Sequence, residues 1–127
     1  LEASTYVLDC LPNLNPEATA ERTAPFVRRL RTLQPNTPIV MVEDRTDPNA
    51  ALFPLRSHLH AGNHKAFRAA YDLLLEEGLG GLTYVADSPF LGVDGEATVD
   101  GSHPSDLGMV RYADALEPVL RNALVQR

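Results

Sequence analysis

Cysteine, basic clusters and long apolar runs are all scarce in this chain of 127 residues. The one cysteine, Cys10, excludes an intrachain disulfide. It does not settle the redox compartment, since secretion information can sit in sequence beyond these residues; the cytoplasm is favoured. No uninterrupted apolar run is longer than that of Ile39 to Val42, far short of the roughly 20 residues a membrane-spanning helix needs. The N-terminus shows no basic segment leading into an apolar stretch. Eleven Lys and Arg stand against 17 Asp and Glu, for a formal charge of −6. The basic residues are dispersed except at Arg28-Arg29-Leu30-Arg31, which has no interleaved aromatics to stack on bases, so nucleic acid is a poor partner. Finally, none of the five serines, Ser4, Ser57, Ser88, Ser102 and Ser105, sits where an apolar strand turns sharply into a helix, so an activated nucleophile is lacking.

What is present is an ordinary globular composition: 44% hydrophobic and 22% charged, enough for one domain with a moderate core and contrary to a disordered or fibrous chain. Tyr6 to Cys10, Ile39 to Val42 and Leu82 to Ala86 are short apolar runs bounded by turn residues and read as three strands. The middle run is apolar throughout, as in parallel sheets covered on both faces. Between them, Asn15-Pro16-Glu17 starts a helix with an N-cap and Pro at the first position. Thr23-Ala24-Pro25 restarts it, so two pieces joined at Pro25 are expected, with Phe26, Val27, Leu30 and Leu33 on one face. Asn63 is expected to cap a further helix in which Phe67, Ala70, Tyr71 and Leu74 recur at helical spacing until Glu77-Gly78. Leu107, Val110, Ala113, Leu116 and Leu120 predict a final helix, bent near Pro118. Residues 43 to 62 show no periodicity, and Pro48 and Pro54 oppose a regular element there. A structureless stretch of about 20 residues usually belongs to a lid or binding loop.

Alternation of strands and helices implies an α/β parallel sheet. Three strands leave an exposed edge, so further strands are expected from upstream sequence or a partner chain. The chain opens on Leu1, shortly before its first strand, and a larger parent protein is expected. In such sheets sites form beyond the carboxyl ends of the strands. Asn13, the 43–62 segment and the 87–106 segment all emerge there.

Asp100-Gly101-Ser102-His103-Pro104, followed by Asp106-Leu107-Gly108, is the stretch with the most chemistry. A nucleophilic hydrolase needs an imidazole whose second nitrogen is held by a carboxylate, fixing tautomer and orientation. Asp100 and His103 can supply that pair. The same residues also read as a plain turn leading into a helix capped by Ser105.

Asp-x-x-His ahead of a helix closely resembles the last sequence block of the SGNH hydrolases, or GDSL esterases and lipases. The resemblance extends back through Ala86-Asp87, Val42-Glu43-Asp44-Arg45 and Leu8-Asp9-Cys10-Leu11-Pro12-Asn13, nearly the whole chain. It implies a flavodoxin-like α/β/α sandwich, of which this chain supplies three strands and their helices as the C-terminal portion of one domain over residues 1 to 127. It implies His103 as catalytic base, Asp100 as its orienting acid and Asn13 as an oxyanion-hole donor. In the family the third block commonly reads Gly-x-Asn-Asp, and here Leu11 and Leu14 stand in its Gly and final Asp positions. Asn13 between Pro12 and Leu14 reads equally as a turn residue. The family's nucleophile lies in a Gly-Asp-Ser block. No serine here follows Gly-Asp, so the Ser and a Gly-based oxyanion donor are expected upstream in the same protein, and this fragment alone is expected to be inactive. The implied activity is hydrolysis of small acyl esters such as acetylated sugars, with no cofactor or metal. Transfer of the acyl group to a hydroxyl of a natural product or sugar is the alternative, and a non-catalytic binding module is the second.

Other candidates carry simpler readings beside the chemical ones. Cys10 near the strand end could be a thiol nucleophile, although lone cysteines in apolar strands are usually inert. His58, His60 and His64 have the residue type for zinc, but the spacing crosses an expected loop–helix boundary without a clear carboxylate. Arg45 and Arg56 could orient an anionic substrate or merely be solvated. Glu43 and Asp44, if on a strand, would point to opposite faces.

Overall fold

The computed structural model describes residues 2–45, 52–87 and 90–125. Pro48 and Ser88 lie outside them. Strands β1 (Tyr6–Leu8), β2 (Ile39–Val42) and β3 (Leu82–Val85) form one parallel sheet in the order β1-β2-β3. β2 is the middle strand and its four side chains are fully buried, which explains the unbroken apolar run. Ile39 and Met41 join a core with Leu11, Ala24, Val27, Phe67, Ala70 and Leu74 beneath helices α1 (Pro16–Leu33) and α2 (Pro54–Glu76). Val40 and Val42 join Phe90, Tyr112 and Ala123 on the opposite face, against α3 (Asp106–Val125). Because successive strand side chains point opposite ways, one four-residue strand holds two cores together, and the architecture is a three-layer α/β/α sandwich. No helix among the described residues is long and apolar enough to cross a membrane.

The helices depart from the sequence reading in ways that matter for the site. α1 is one helix that runs through Pro25, capped at its start by Asn15, whose Oδ1 accepts from the Ala18 N–H at 2.8 Å. Proline inside a helix costs about 3 kcal/mol, but packing of the flanking residues against α2 and the sheet overrides that local preference. The buried face of α1 is Thr19, Thr23, Ala24 and Val27, with Leu30 beside them. Phe26 and Leu33, expected on that face, are 55% and 56% exposed. Two buried threonines fill the interior because their hydroxyls are satisfied: Thr23 Oγ1 donates to Thr19 O at 2.7 Å, and Thr19 Oγ1 donates to Asn63 Oδ1 at 3.1 Å.

α2 begins at Pro54, so the expected loop over 43–62 is helix for nearly its second half, with Pro54 in the first turn, where a missing N–H is harmless. Periodicity failed there because Leu55 and Leu59 point outward while the inward positions are polar: Arg56, His60 and Asn63, continuing into Phe67, Ala70 and Leu74. The helix ends in a Schellman motif, with Gly78 N–H bonded to Leu75 O at 2.9 Å and Leu79 N–H to Leu74 O at 3.0 Å. Gly78 takes a φ of 80° there. α3 is continuous through Pro118. Its inner line is Gly108, Tyr112, Leu116, Val119, Leu120 and Ala123, whereas Leu107 and Val110 are exposed. The first turn packs by close backbone approach instead of by an apolar side chain: a Cβ on Gly108 would lie 2.1 Å from Ala97 O.

Candidate functional site

Beyond the carboxyl end of β1 the chain closes a single 3₁₀ turn, Leu11–Asn13, with Asn13 N–H bonded to Cys10 O at 3.1 Å and Leu14 N–H to Leu11 O at 3.0 Å. Asn63 anchors this turn. It is not a helix cap; it lies in the middle of α2, 1% exposed, and its Nδ2 donates to Leu11 O at 3.2 Å and Leu14 O at 3.0 Å. With Oδ1 taken by Thr19, the amide binds three groups more than forty residues away in sequence. The turn therefore has a fixed backbone, and it carries Asn13 with its side chain exposed.

The Asp100–His103 loop is built as a small closed structure. Thr98 and Pro104 form an antiparallel bridge, Val99 N–H bonds to His103 O at 3.0 Å, and Ser105 N–H bonds to Ala97 O at 2.8 Å. Gly101 turns the chain at a φ of 79°, a left-handed conformation that glycine adopts at little cost. Ser105 starts α3, its Oγ accepting from Gly108 N–H at 3.2 Å. The two oxygens of Asp100 have separate duties. Oδ1 accepts from the backbone N–H groups of His103 at 2.8 Å and Ser102 at 3.0 Å, while Oδ2 is 2.7 Å from His103 Nδ1. An ionised carboxylate only accepts, so Nδ1 carries a hydrogen and, in the neutral ring, Nε2 is left with a lone pair. The turn reading and the dyad reading are thus the same structure: the turn holds the acid, and the acid holds the imidazole.

Arg56, in the first turn of α2, reaches across to this loop and donates through Nη1 to Gly101 O at 3.0 Å. Arg111 of α3 grips the preceding segment, donating to Leu91 O at 2.8 Å and pairing both Nη atoms with Asp94 at 2.7 and 2.6 Å. The His103 and Asp100 side chains are 76% and 50% exposed. The backbone N–H of His103, then its imidazole, hold the Asp100 carboxyl down to about 2. With a depressed value, the bonding it provides is complete above the ordinary carboxylate range and is lost only as pH falls toward 2. Because both groups face solvent, this steadies the loop more than the whole protein.

A cleft of about 180 Å³ lies between the two segments, lined by Leu11, Pro12, Asp44, Arg56, Leu59, His60, Asn63 and Ser102. Glu43 and Asp44 follow the end of β2 and, contrary to the strand argument, both turn toward α2. Glu43 accepts from the Tyr84 hydroxyl and from Asp87 N–H at 2.5 Å, which with burial drives the Tyr84 phenol far above its usual value. Asp44, its side chain 4% exposed, lies against His60 Nδ1, and its backbone carbonyl is 2.8 Å from His64 Nε2. The Asp44 contact raises the His60 pKa above its ordinary value against the opposing effect of burial. His58, His60 and His64 all sit on α2, but His58 is exposed and the other two are engaged separately. Among the described residues no group of three His, Cys, Asp or Glu side chains is disposed to hold a metal ion.

The remaining candidates are placed as follows. Arg45 is not a solvated surface residue: its side chain is 14% exposed, 3.8 Å from Asp9 and 5.5 Å from the centre of the Tyr112 ring. Cys10 is exposed beyond β1 and not buried in it, and partial desolvation raises its thiol pKa, opposite to what a thiolate nucleophile requires. Sequence reasoning missed two elements of the site, the Asn63 anchor and the Asp44–His60 pair. The available signal was the helical spacing of Arg56, His60, Asn63 and Phe67, a stripe whose first half is polar.

No curated protein matches the chain. A solved structure of a GDSL-like lipase from Bacteroides ovatus ATCC 8483 superposes with a TM-score of 0.93 at 30% identity, covering 98% of this chain and 37% of that one. The chain thus spans little more than a third of that relative's length. The family model for GDSL-like lipases and acylhydrolases matches residues 1–121. With a match over nearly its full length and the sandwich fold in common, the chain belongs to the GDSL-like lipase/acylhydrolase family.

Proposed function

We propose that the chain is the C-terminal portion of a serine esterase domain, acting on small acyl esters, with the nucleophile contributed by a part of the protein outside these 127 residues. The observation that carries this reading is the Asp100–His103 pair, its 2.7 Å contact fixed by two backbone N–H groups on the same carboxylate. Family membership supplies the hydrolase context.

In the complete site His103 Nε2 takes the proton of the serine hydroxyl as its oxygen bonds to the ester carbonyl carbon. The tetrahedral intermediate collapses, the carbon–oxygen bond to the alcohol breaks, and the alcohol leaves with the proton from Nε2. Water then repeats the sequence on the acyl-enzyme and releases the acid. Asp100 remains ionised throughout and stabilises the imidazolium. The exposed Asn13 amide donates to the carbonyl oxygen as it becomes negative. Asn13→Ala is expected to lower kcat about 10²–10³-fold with KM and melting temperature little changed. An unaltered kcat in steady-state assays would remove Asn13 from the mechanism.

The test of the whole reading is a fluorophosphonate serine trap on the intact protein, with the adduct located by mass spectrometry. A serine outside residues 1–127 is expected to be labelled, and labelling is expected to disappear in His103→Ala. Folded protein that takes up no label overturns the proposal.

A further inference from the structure

The cleft beside the dyad has an uneven supply of hydrogen-bonding groups. Asn63 contributes nothing to a ligand, because its oxygen and both directions of its amide are committed to Thr19, Leu11 and Leu14. Asp44 is the one carboxylate in the lining, and it is almost wholly buried against His60. Glu43 is occupied by Tyr84 and Asp87 N–H. When the His60 ring is protonated, what remains open is chiefly donors. His60 has Nδ1 against Asp44, so its Nε2 accepts in the neutral ring and donates in the imidazolium, the form that the Asp44 contact favours. Arg56 spends Nη1 on the Asp100–Gly101 carbonyls and retains its other N–H groups. Ser102 adds a hydroxyl. Leu11, Pro12 and Leu59 form the apolar remainder. With His60 protonated, the pocket offers two cationic donors and no spare anionic acceptor, which suits a ligand group that only accepts.

We propose that His60, backed by Asp44 and flanked by Arg56, forms a subsite for a carboxylate on the substrate, so that the preferred ester carries an acidic group. The Nε2–H of the His60 imidazolium and the Arg56 guanidinium donate to its two oxygens. As part of a substrate site this rests on the hydrolase reading above. The charges that face His60 are Asp44 after β2, Asp87 after β3 and Arg56 on its own helix. The two carboxylates favour the imidazolium and Arg56 opposes it. Carboxylate binding is therefore strongest below the raised His60 pKa and weakens as pH rises through it.

The experiment is calorimetric titration of the intact protein with succinate and with uncharged succinamide, across pH, for wild type, His60→Gln and Asp44→Asn. Wild type is expected to bind succinate at least about tenfold more tightly than succinamide at pH values below the raised His60 pKa at which succinate is still ionised, a charge-assisted bond being the difference. His60→Gln is expected to abolish that preference. Asp44→Asn preserves shape, so it is expected to fold and to shift the pH dependence downward. Equal binding of the two probes, or a preference unchanged in His60→Gln, overturns the subsite. Binding is read without turnover, so an absence of serine labelling defeats the esterase reading while leaving this result intact.

Discussion

Asp100→Asn is expected to reduce kcat of the intact protein about 10⁴-fold while leaving its fold in place. The substitution separates the two duties of the side chain. Asn Oδ1 can still accept from the N–H groups of Ser102 and His103, bonds now made by Asp100 Oδ1 at 3.0 and 2.8 Å. The atom facing His103 Nδ1 becomes an amide donor, so Nδ1 must accept and its hydrogen moves to Nε2. A base with a proton already on the attacking nitrogen cannot take one from serine, and the imidazolium loses its counter-charge. The same change in serine proteases of unrelated fold has an effect of this size. The check is steady-state kinetics beside nuclear magnetic resonance of the His103 ring nitrogens. A small loss of kcat with the tautomer reversed would mean that Asp100 shapes a turn and nothing more.

Asn63→Ala is expected to be the most destabilising single change in the site. It removes the donor for two buried or half-buried carbonyls, Leu11 O and Leu14 O, and the acceptor for the Thr19 hydroxyl. Each orphaned group costs about 1–3 kcal/mol unless water reaches it. Asn63 borders the cleft, so water will recover part, leaving a loss of about 3 kcal/mol and a fall in melting temperature of about 10 °C. Asn36→Ala, at an exposed turn position, is expected to stay within about 0.5 kcal/mol. Thermal unfolding followed by circular dichroism distinguishes them. Because Asn63 fixes the turn carrying Asn13, catalysis should also fall at temperatures where the variant remains folded. Stability equal to wild type would show that the turn holds itself.

The parts of this protein that are local were readable from residue order. β2 was evident because a strand covered on both faces is apolar at every position. The start of α1 was evident because Asn15 and Pro16 act within one turn. Asp-x-x-His was evident because its atoms all lie within four residues, and with the neighbouring blocks it pointed to the family that the whole-chain match bears out. Residue order misleads for two reasons. The break expected at Pro25 and the late start expected for α2 follow from the local preferences of Pro25 and Pro54, whereas the faces expected for α1 and α3, and the missing periodicity ahead of Asn63, follow from taking inward positions to be apolar. Thr19 and Thr23, His60 and Asn63, and Gly108 are the inward residues that break that assumption.

The order of residues by itself determined three strands between helices, a family, and an acid–imidazole pair on a turn. Only the tertiary structure decided what surrounds that pair. Asn63 became an anchor when α1 and α2 packed and brought Thr19, Leu11 and Leu14 to its amide. Arg56 came to hold the Asp100–Gly101 loop, and Asp44 came to rest under His60, when β2 delivered its end to the polar half of α2. The physical reason is that a polar side chain can be buried only where its partners are, and here the partners come from other elements, 44 to 52 residues away for Asn63. Periodicity records which face of an element is apolar; it carries no record of which distant group will meet a buried donor.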